Sequence, residues 1–233
     1  MDLYNIEVEH FHNYHVREPG GSAVLVHNGT EYIQTLKQGQ YDLVDHIASG
    51  RTLLVGEGNL SFARSLARKR RVDLKNLVVT TYEAEANLSQ AALKNAKALR
   101  DRGATVLHGV DATDLRATFG QAKFDVIVFN FPLRAAPSRP ELAAANREWL
   151  ADFFRSSARQ LNEGGTTVVT LIDKPFYRGW RIEEQAVTAG FEPVRQTPSQ
   201  LGNFPGYQPV TTYQKVTPPD FTSAITYIFR RGG

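Results

Sequence analysis

The stretch that decides the fold is Leu54-Val55-Gly56-Glu57-Gly58-Asn59-Leu60-Ser61-Phe62. It follows an apolar segment, 51–55, that predicts a buried strand, and it leads into a predicted helix over 60–70. Glycines let the backbone turn tightly and let a ligand approach the main chain, with the first amides of the helix facing that ligand. The turn lacks the third glycine of the dinucleotide fingerprint G-x-G-x-x-G. A tight strand-to-helix turn without a ligand therefore explains these residues equally well.

Strands and helices alternate after this turn. Further strands are predicted at 77–82, 105–108, 124–129, 166–172 and 191–196, and further helices at 86–102, 141–161 and 180–189. This alternation predicts a doubly wound, Rossmann-like α/β fold with a mostly parallel seven-stranded sheet. The segments 210–215 and 224–229, joined by Pro218-Pro219-Asp220, are expected to form an antiparallel C-terminal hairpin at the sheet edge.

The composition is that of a globular protein of 233 residues with a formal net charge of +3. A slight cationic excess permits a nucleic-acid partner without requiring one. The absence of cysteine excludes disulfides, thiolate ligands and a cysteine nucleophile, and no metal site is predicted. No apolar run reaches the ~18 residues of a membrane span, so we expect neither a membrane helix nor a signal peptide. The oligomeric state is left open.

Acidic residues follow two of the strands, at the sheet end where ligands of such folds bind. Glu83, after the strand at 77–82, is expected to hold the ribose hydroxyls of a nucleoside cofactor. Asp111, after the strand at 105–108, is expected to meet an adenine amino group. Each has a structural alternative: Glu83 as a carboxylate at a helix start, and Asp111 as the N-cap of the next helix.

The strand at 124–129 ends in Asn130-Phe131-Pro132. An amide, an aromatic ring and a rigid proline together suit a planar base that is held by hydrogen bonding and stacking. The same residues are also compatible with a plain strand terminus. Because the other strand ends carry ligand-binding residue types as well, we favour the binding interpretation.

Several motifs together resemble one enzyme family. Four runs are LLVGEGNLSFARSLA, FDVIVFNFP, NREWLADFFRSSARQLNEGG and VTLIDKPFYRGWRIEEQAVTAGF, and they are followed by Phe204-Pro205-Gly206-Tyr207 before Thr211-Thr212. In type and order these motifs are similar to the Rossmann-like domain of eukaryotic ribosomal-RNA uridine-N3 methyltransferases. The resemblance covers about residues 50–230. It implies a class I methyltransferase fold, S-adenosylmethionine as the cofactor and RNA base methylation as the reaction.

The resemblance also implies roles for single residues. The cofactor-binding set would be Gly56, Glu57, Gly58, Asn59, Ser61, Phe62, Glu83 and Asp111, and the target base would be flanked by Asn130, Phe131 and Pro132. One departure concerns Leu133, which stands where the family usually has histidine, and the linker 134–139 also lacks the usual glycines. If that histidine orients or deprotonates the base, the target atom or the substrate differs here.

Attack by a uracil ring nitrogen requires loss of its proton, so a base or a stabilised anion is expected. Asp173, after the strand at 166–172, is the candidate base, and Lys174 beside it suits anion stabilisation or phosphate binding. A solvated loop pair is the alternative for both. Arg134, Lys174 and Arg178 are the predicted RNA-binding residues, because phosphate contacts in RNA complexes are commonly made by arginine and lysine.

The N-terminal residues resemble a second family. YNIEVEHFHNYHV followed by VLVHN is similar to the last two blocks of a Hint (intein-like) domain, as found before toxin domains in bacterial polymorphic toxins. The resemblance implies autocleavage at Asn28 assisted by His27. An unrelated β-hairpin is the alternative, since Asn-Gly is a common turn. The predicted organisation is a Hint remnant over 1–28, a linker with a short helix over 29–50 and the methyltransferase domain over 51–233.

The two resemblances together predict an S-adenosylmethionine-dependent rRNA methyltransferase of the uridine-N3 type that serves as a toxin domain. The expected partners are an RNA substrate and an immunity protein. The expected location is that of a bacterial effector, secreted or delivered into the cytoplasm of a target cell, and otherwise the cytoplasm. Two other functions stay open: a catalytically inactive nucleotide- or RNA-binding module of the same fold, and a methyltransferase for another substrate.

Overall fold

The computed structural model describes residues 13–17, 23–27, 41–134, 139–210 and 223–232. The chain divides into two compact units, Met1–Tyr41 and Asp42–Gly233. In the first unit, strands β1 (Asn13–Arg17) and β2 (Ala23–His27) pair antiparallel. This pairing is compatible with the Hint interpretation and with an unrelated hairpin. Asn28 and the linker helix, predicted near 31–36, lie outside the described residues.

The second unit alternates strands and helices, as the sequence predicts. Its strands are β3 (Thr52–Val55), β4 (Leu77–Thr80), β5 (Thr105–Leu107), β6 (Phe124–Asn130), β7 (Leu161–Ile172), β8 (Phe191–Pro198) and β9 (Ala224–Arg231). Its α-helices are α1 (Leu43–Ala48), α2 (Ser61–Leu66), α3 (Gln90–Arg100), α4 (Leu115–Phe119), α5 (Arg139–Gln160), α6 (Pro175–Arg178) and α7 (Ile182–Thr188). Within the described residues, no helix has the length and apolar character needed to cross a membrane.

The seven strands of this unit form one mixed sheet in the order β5-β4-β3-β6-β7-β9-β8. Neighbouring strands are parallel from β5 to β7, whereas β9 runs antiparallel to both β7 and β8. The prediction of a mostly parallel, doubly wound seven-stranded sheet with antiparallel C-terminal strands is therefore confirmed.

The predicted pairing of 210–215 with 224–229 as an edge hairpin, in contrast, is wrong. β9 pairs with β8, with Phe191 opposite Arg231, and it lies inside the sheet. Val210 belongs to no strand, and residues 211–215 lie outside the described residues. Turn signals between two apolar segments do not reveal that an earlier strand is the partner, because pairing is decided by which faces are buried in the whole sheet.

The sheet changes its direction of winding at β3. β4 and β5 lie on one side of β3, and β6 and β7 lie on the other. In open sheets of this kind, ligands bind in the crevice outside the carboxyl ends of the strands at the switch point. Here those ends are the residue after β3, Gly56, and the last residue of β6, Asn130.

An aromatic core fixes these two strand ends relative to helix α5. The Phe129 ring of β6 lies 5.1 Å from the Phe153 ring and 5.3 Å from the Trp149 ring, measured between centroids. Phe154, next along α5, lies 5.0 Å from Phe229 of β9. Phe153 and Phe154 are fully buried. Burial of each such ring contributes roughly 1.5–3 kcal/mol, so α5 is firmly packed on the sheet behind the crevice.

Candidate active site

The turn after β3 has a single shape that its residues enforce. Gly56 is left-handed, with φ +65°, and a Cβ there would lie 2.5 Å from Cε2 of Phe129. Leu60 also has a positive φ, 61°, and its side chain is fully buried. A left-handed leucine costs about 1–2 kcal/mol, which its burial offsets. Burial of its side chain therefore holds Leu60 in a backbone conformation that is usually adopted by glycine.

Helix α2 starts with its first amides satisfied by the turn itself. Ser61 N–H donates to Asn59 Oδ1 at 3.0 Å, and Ala63 N–H donates to Glu57 Oε2 at 3.1 Å. Leu60, the N-cap residue, has no capping side chain, so Glu57 and Asn59 take over that role. The expectation that these amides face a ligand is corrected accordingly for Ser61 and Ala63.

Glu57 is a buried carboxylate, only 7% exposed. Burial raises the pKa of Glu57 to about 7, although the hydrogen bond from the Ala63 amide favours the charged form. Burial, together with the nearby Glu57 charge, also raises the pKa of Tyr207. Near neutral pH the Glu57 carboxyl group is therefore divided between its neutral and charged forms.

We expect Glu57→Gln to remove a pH dependence of stability. Between the unfolded pKa of 4.5 and the folded pKa of about 7, the folded state holds a proton that the unfolded state has lost, so wild-type stability falls as pH rises through this window. At 1.36 kcal/mol per pKa unit the loss is about 3 kcal/mol. Urea unfolding should show both proteins equally stable near pH 4.5 and the glutamine variant more stable at pH 8. A stability difference that does not change with pH would contradict the assignment.

A segment far along the chain, residues 204–210, lies over the glycine turn; we call it the covering segment. Gln208 N–H donates to Ser61 Oγ at 2.9 Å, and Asn59 Nδ2 donates to Gln208 O at 2.9 Å. A Cβ added to Gly58 would lie 2.5 Å from Cγ2 of Val210. The Val210 methyl group therefore occupies the space directly beside the Gly58 backbone.

The covering segment also packs on helix α2. The Phe62 ring lies 4.8 Å from the Phe204 ring and 5.4 Å from the Tyr207 ring. Four residues predicted to bind the cofactor thus contact this segment: Gly58, Asn59, Ser61 and Phe62. Phe204-Pro205-Gly206-Tyr207 belongs to the family-like motifs of the sequence, yet no local pattern predicts its role. A contact between residues 147 positions apart leaves no local signal.

Backbone hydrogen bonds bring the two predicted acidic residues to neighbouring strand ends. Gly109 N–H donates to Glu83 O at 3.0 Å, and Val110 N–H donates to Thr81 O at 3.0 Å. Glu83 and Asp111 are both exposed. Asp111 accepts hydrogen bonds from the amide and hydroxyl of Thr113, whereas the N-cap of α4 is Asp114. The N-cap alternative for Asp111 is therefore wrong.

Asn130 carries a side chain whose polar atoms are shielded from water. Neither Oδ1 nor Nδ2 has a hydrogen-bond partner among the described residues. The next residue, Phe131, is left-handed, with φ 52°, and its amide donates to Thr170 O at 2.8 Å. Backbone strain and an unsatisfied buried amide at adjacent positions are typical of functional sites, where another molecule supplies the missing contacts. Pro132 is buried beside them.

Asp173, the predicted base, forms an ion pair. Its Oδ1 accepts a hydrogen bond from Arg178 Nε at 2.7 Å, and this bond lowers the pKa of Asp173. A carboxylate with a lowered pKa is a weak proton acceptor at neutral pH. The pairing also engages Arg178, one of the predicted RNA-binding residues, although Arg178, Lys174 and Arg134 are all exposed. Among the described residues, no group of histidine and acidic side chains could hold a metal ion.

Solved structures share this fold. A methyltransferase from Pyrococcus furiosus is 18% identical with a TM-score of 0.50, and the match covers 78% of this chain and 75% of that one. The N-methyltransferase NodS from Bradyrhizobium japonicum is 16% identical with a TM-score of 0.50, over 81% and 90% of the two chains. At these identities the likeness concerns the fold alone, which is that of class I methyltransferases, as predicted.

Curated relatives are eukaryotic. The mouse ferredoxin-fold anticodon-binding domain-containing protein 1 homolog is 36% identical over 194 residues, covering 77% of this chain and 30% of the mouse protein. Heavy metal-associated isoprenylated plant protein 41 of Arabidopsis thaliana is 31% identical over 173 residues, covering 71% and 34%. The 25S rRNA (uridine(2634)-N(3))-methyltransferase of Saccharomyces cerevisiae is 23% identical over 264 residues, covering 87% and 77%. This chain thus spans about a third of the mouse and plant proteins.

These relatives overturn one expectation. The predicted location, a secreted or delivered bacterial effector, is wrong, since the relatives come from mouse, human, Arabidopsis and yeast, and the yeast relative is named as an rRNA methyltransferase. The toxin role and the immunity partner stay predictions from the sequence resemblance.

A family model matches residues 53–211, which include the glycine turn, Asn130 and the whole covering segment. Its description is "rRNA (uridine-N3-)-methyltransferase BTM5-like". The predicted enzyme class and cofactor, a methyltransferase that uses S-adenosylmethionine, are confirmed by this match together with the fold. The chain belongs to the BMT5-like family of rRNA (uridine-N3-) methyltransferases.

Proposed function

We propose that this protein methylates N3 of a uridine in ribosomal RNA. The observation that carries the proposal is the Asn130 amide at the end of β6, beside the glycine turn, which is shielded from water and has no hydrogen-bond partner in the part of the chain that the structure describes. Family membership and the yeast relative's name support the RNA substrate and the target atom.

The strand ends fit the proposed cofactor. The glycine turn stands at the end of β3 with the covering segment over it, and the exposed carboxylates of Glu83 and Asp111 stand at the two following strand ends. We assign the methionine end to the turn at 56–62, the ribose to Glu83 and the adenine to Asp111. When bound, S-adenosylmethionine supplies an electrophilic methyl group, so the protein has to align the base and exclude water.

Asn130 suits a uracil for a chemical reason. Transfer of the N3 proton to solvent leaves negative charge on N3 and on the two flanking carbonyl oxygens of the ring. An Nδ2–H donor in a shielded site stabilises such a charge far better than it would in water. Asn130 therefore promotes the reaction by stabilising the anion, which fits the ion-paired and weakly basic state of Asp173. Phe131 and Pro132 provide flat, apolar surface for the ring.

Methyl transfer from isotope-labelled S-adenosylmethionine to total RNA tests the proposal. We expect label in ribosomal RNA, recovered as 3-methyluridine after digestion to nucleosides. Gly58→Arg is the control and should transfer no label, because its side chain fills the turn. Label in a different nucleoside would overturn the target atom, and absence of label from RNA would overturn the function.

A second candidate rests on Leu133. This side chain is half-buried and packs against the core, where the family pattern implies an imidazole. A module that binds RNA or a nucleotide without catalysis is compatible with that change. Binding of S-adenosylmethionine and RNA without methyl transfer in the same assay would favour this candidate. The Hint interpretation of residues 1–28, with His27 and Asn28 as its cleavage residues, stays a prediction from sequence resemblance.

A further inference from the structure

Asn146 of helix α5 is a fully buried amide that binds the chain beyond the Asn130 motif. Its Oδ1 accepts the Arg134 amide N–H at 2.8 Å. Its Nδ2 donates to Arg134 O at 2.9 Å and to Leu142 O at 2.7 Å. Both amide hydrogens and one oxygen lone pair are therefore used, and two of the three bonds go to a single residue.

This geometry leaves only one orientation for the amide. Exchange of Oδ1 and Nδ2 would set an oxygen against the two carbonyls of Arg134 and Leu142 and an NH₂ group against an N–H donor. Asn146 thus pairs with Arg134 in the way that a neighbouring strand would, at a point where β6 has already ended. The backbone is fixed two residues after Pro132.

The fixed segment is the one that forms the base side of the site. It begins at Asn130, runs through the left-handed Phe131 and the buried Pro132, and reaches the exposed Arg134. At its start Phe131 N–H is held by Thr170 O at 2.8 Å, and at its end Asn146 holds Arg134. The segment is therefore tied at both ends, which restricts the positions of the side chains between them.

We propose that Asn146 is a positioning residue for the target base: it holds the segment 130–134 in the path that presents Asn130 to the base and Arg134 to the RNA backbone. The inference rests on the proposed RNA methyltransferase function. Asn146 itself touches no substrate in this role, because its polar atoms are turned to Arg134 and Leu142.

The test compares two exchanges of amide for carboxylate in the same helix. Asn146→Asp keeps the shape but sets an oxygen against the two carbonyls. Gln160→Glu makes the same chemical change at another buried amide, 1% exposed, whose Nε2 donates to Gly120 O at 3.2 Å. Gln160 lies 14 residues further on, about 21 Å along the helix. Its exchange should therefore destabilise the fold as Asn146→Asp does, but far from the segment 130–134.

For Asn146→Asp we expect kcat/KM for RNA to fall about 30- to 100-fold, as a small misplacement of reacting groups does. The dissociation constant for S-adenosylmethionine should stay within twofold, and the Arg134 amide should exchange hydrogen at least tenfold faster. Gln160→Glu should lower Tm to a similar degree with kcat/KM for RNA within twofold. If Asn146→Asp does not fold, Asn146→Ser provides the same comparison without a charge.

Equal losses of RNA activity in both variants, or parallel loss of cofactor affinity in the Asn146 variant, would show a merely structural role and overturn the inference. The same follows if the Asn146 variants methylate RNA like the wild type. A wild-type protein that transfers no methyl group to RNA is a separate outcome, since it overturns the proposed function. In that case the hydrogen-exchange rate of the Arg134 amide still shows whether Asn146 holds the Arg134 backbone.

Discussion

Asn130→Leu is expected to abolish RNA methylation while leaving the protein as stable as before or more stable. The leucine side chain has nearly the shape of asparagine but makes no hydrogen bond. The wild-type amide is shielded from water without a described partner, a state that costs about 1–3 kcal/mol. We therefore expect stability to rise by about 1 kcal/mol, or Tm by about 2–4 °C. Loss of a single donor that stabilises developing charge lowers kcat by about 10²- to 10³-fold.

The control for this prediction is Thr167→Val. Thr167 in β7 is fully buried, and its Oγ1 also has no partner among the described residues. The exchange should stabilise the fold to a similar degree and leave methyl transfer unchanged. Measurements of Tm, of the dissociation constant for S-adenosylmethionine and of kcat on RNA separate the two variants. If Asn130→Leu retains activity within a few-fold, Asn130 is not the base-binding amide.

Among exchanges that add a single methyl group to the glycine turn, Gly56→Ala is expected to cause the largest loss of stability. The alanine would have to keep φ near +65° and place its Cβ 2.5 Å from the Phe129 ring, which is enclosed by Trp149 and Phe153. The left-handed backbone costs about 1–2 kcal/mol and the overlap about 1–3 kcal/mol. Together these lower Tm by about 10 °C. Cofactor binding should be lost with the shape of the turn.

Gly164→Ala isolates the backbone contribution. Gly164 has φ +70°, and an added Cβ would meet no atom within 4 Å. This variant should be destabilised only by the cost of the left-handed backbone conformation, and it should keep its affinity for S-adenosylmethionine. Thermal unfolding and calorimetric titration of both variants measure the difference. Equal Tm losses would mean that the Phe129 ring yields and that the glycine is required for its backbone alone.

Local patterns predicted the parts of the molecule that depend on local residues. The strand, the glycine turn and helix α2 follow one another within residues 51–70, so spacing was enough to predict them. The strand ends at Glu83, Asp111 and Asn130 followed from the rule that ligands gather at the carboxyl ends of a doubly wound sheet. The sequence could not show that the Asn130 amide lacks hydrogen-bond partners among the described residues, because that depends on every neighbour in the folded chain.

The features that sequence reasoning missed are contacts between distant residues. Gln208 reaches Ser61 across 147 positions, and β9 pairs with β7 rather than forming an edge. Asn146 lies within one of the family-like motifs, but its hydrogen bonds to Arg134 require α5 to lie against the end of β6. The proton-accepting role expected of Asp173 was weakened by Arg178, five residues away, whose side-chain direction no spacing rule gives.

The position of β9 has a consequence for how the molecule is made. This strand, Ala224–Arg231, is the last of the sheet to leave the ribosome, yet it lies between β7 and β8. At a synthesis rate of about 5–20 residues per second, the nascent protein presents the open edge of β7 for several seconds before its neighbour exists. An unpaired apolar edge is a template for aggregation during that interval. Slower translation of the segment that precedes β9, or the lack of a chaperone at that stage, should therefore lower the yield of soluble protein without changing the stability of the finished fold.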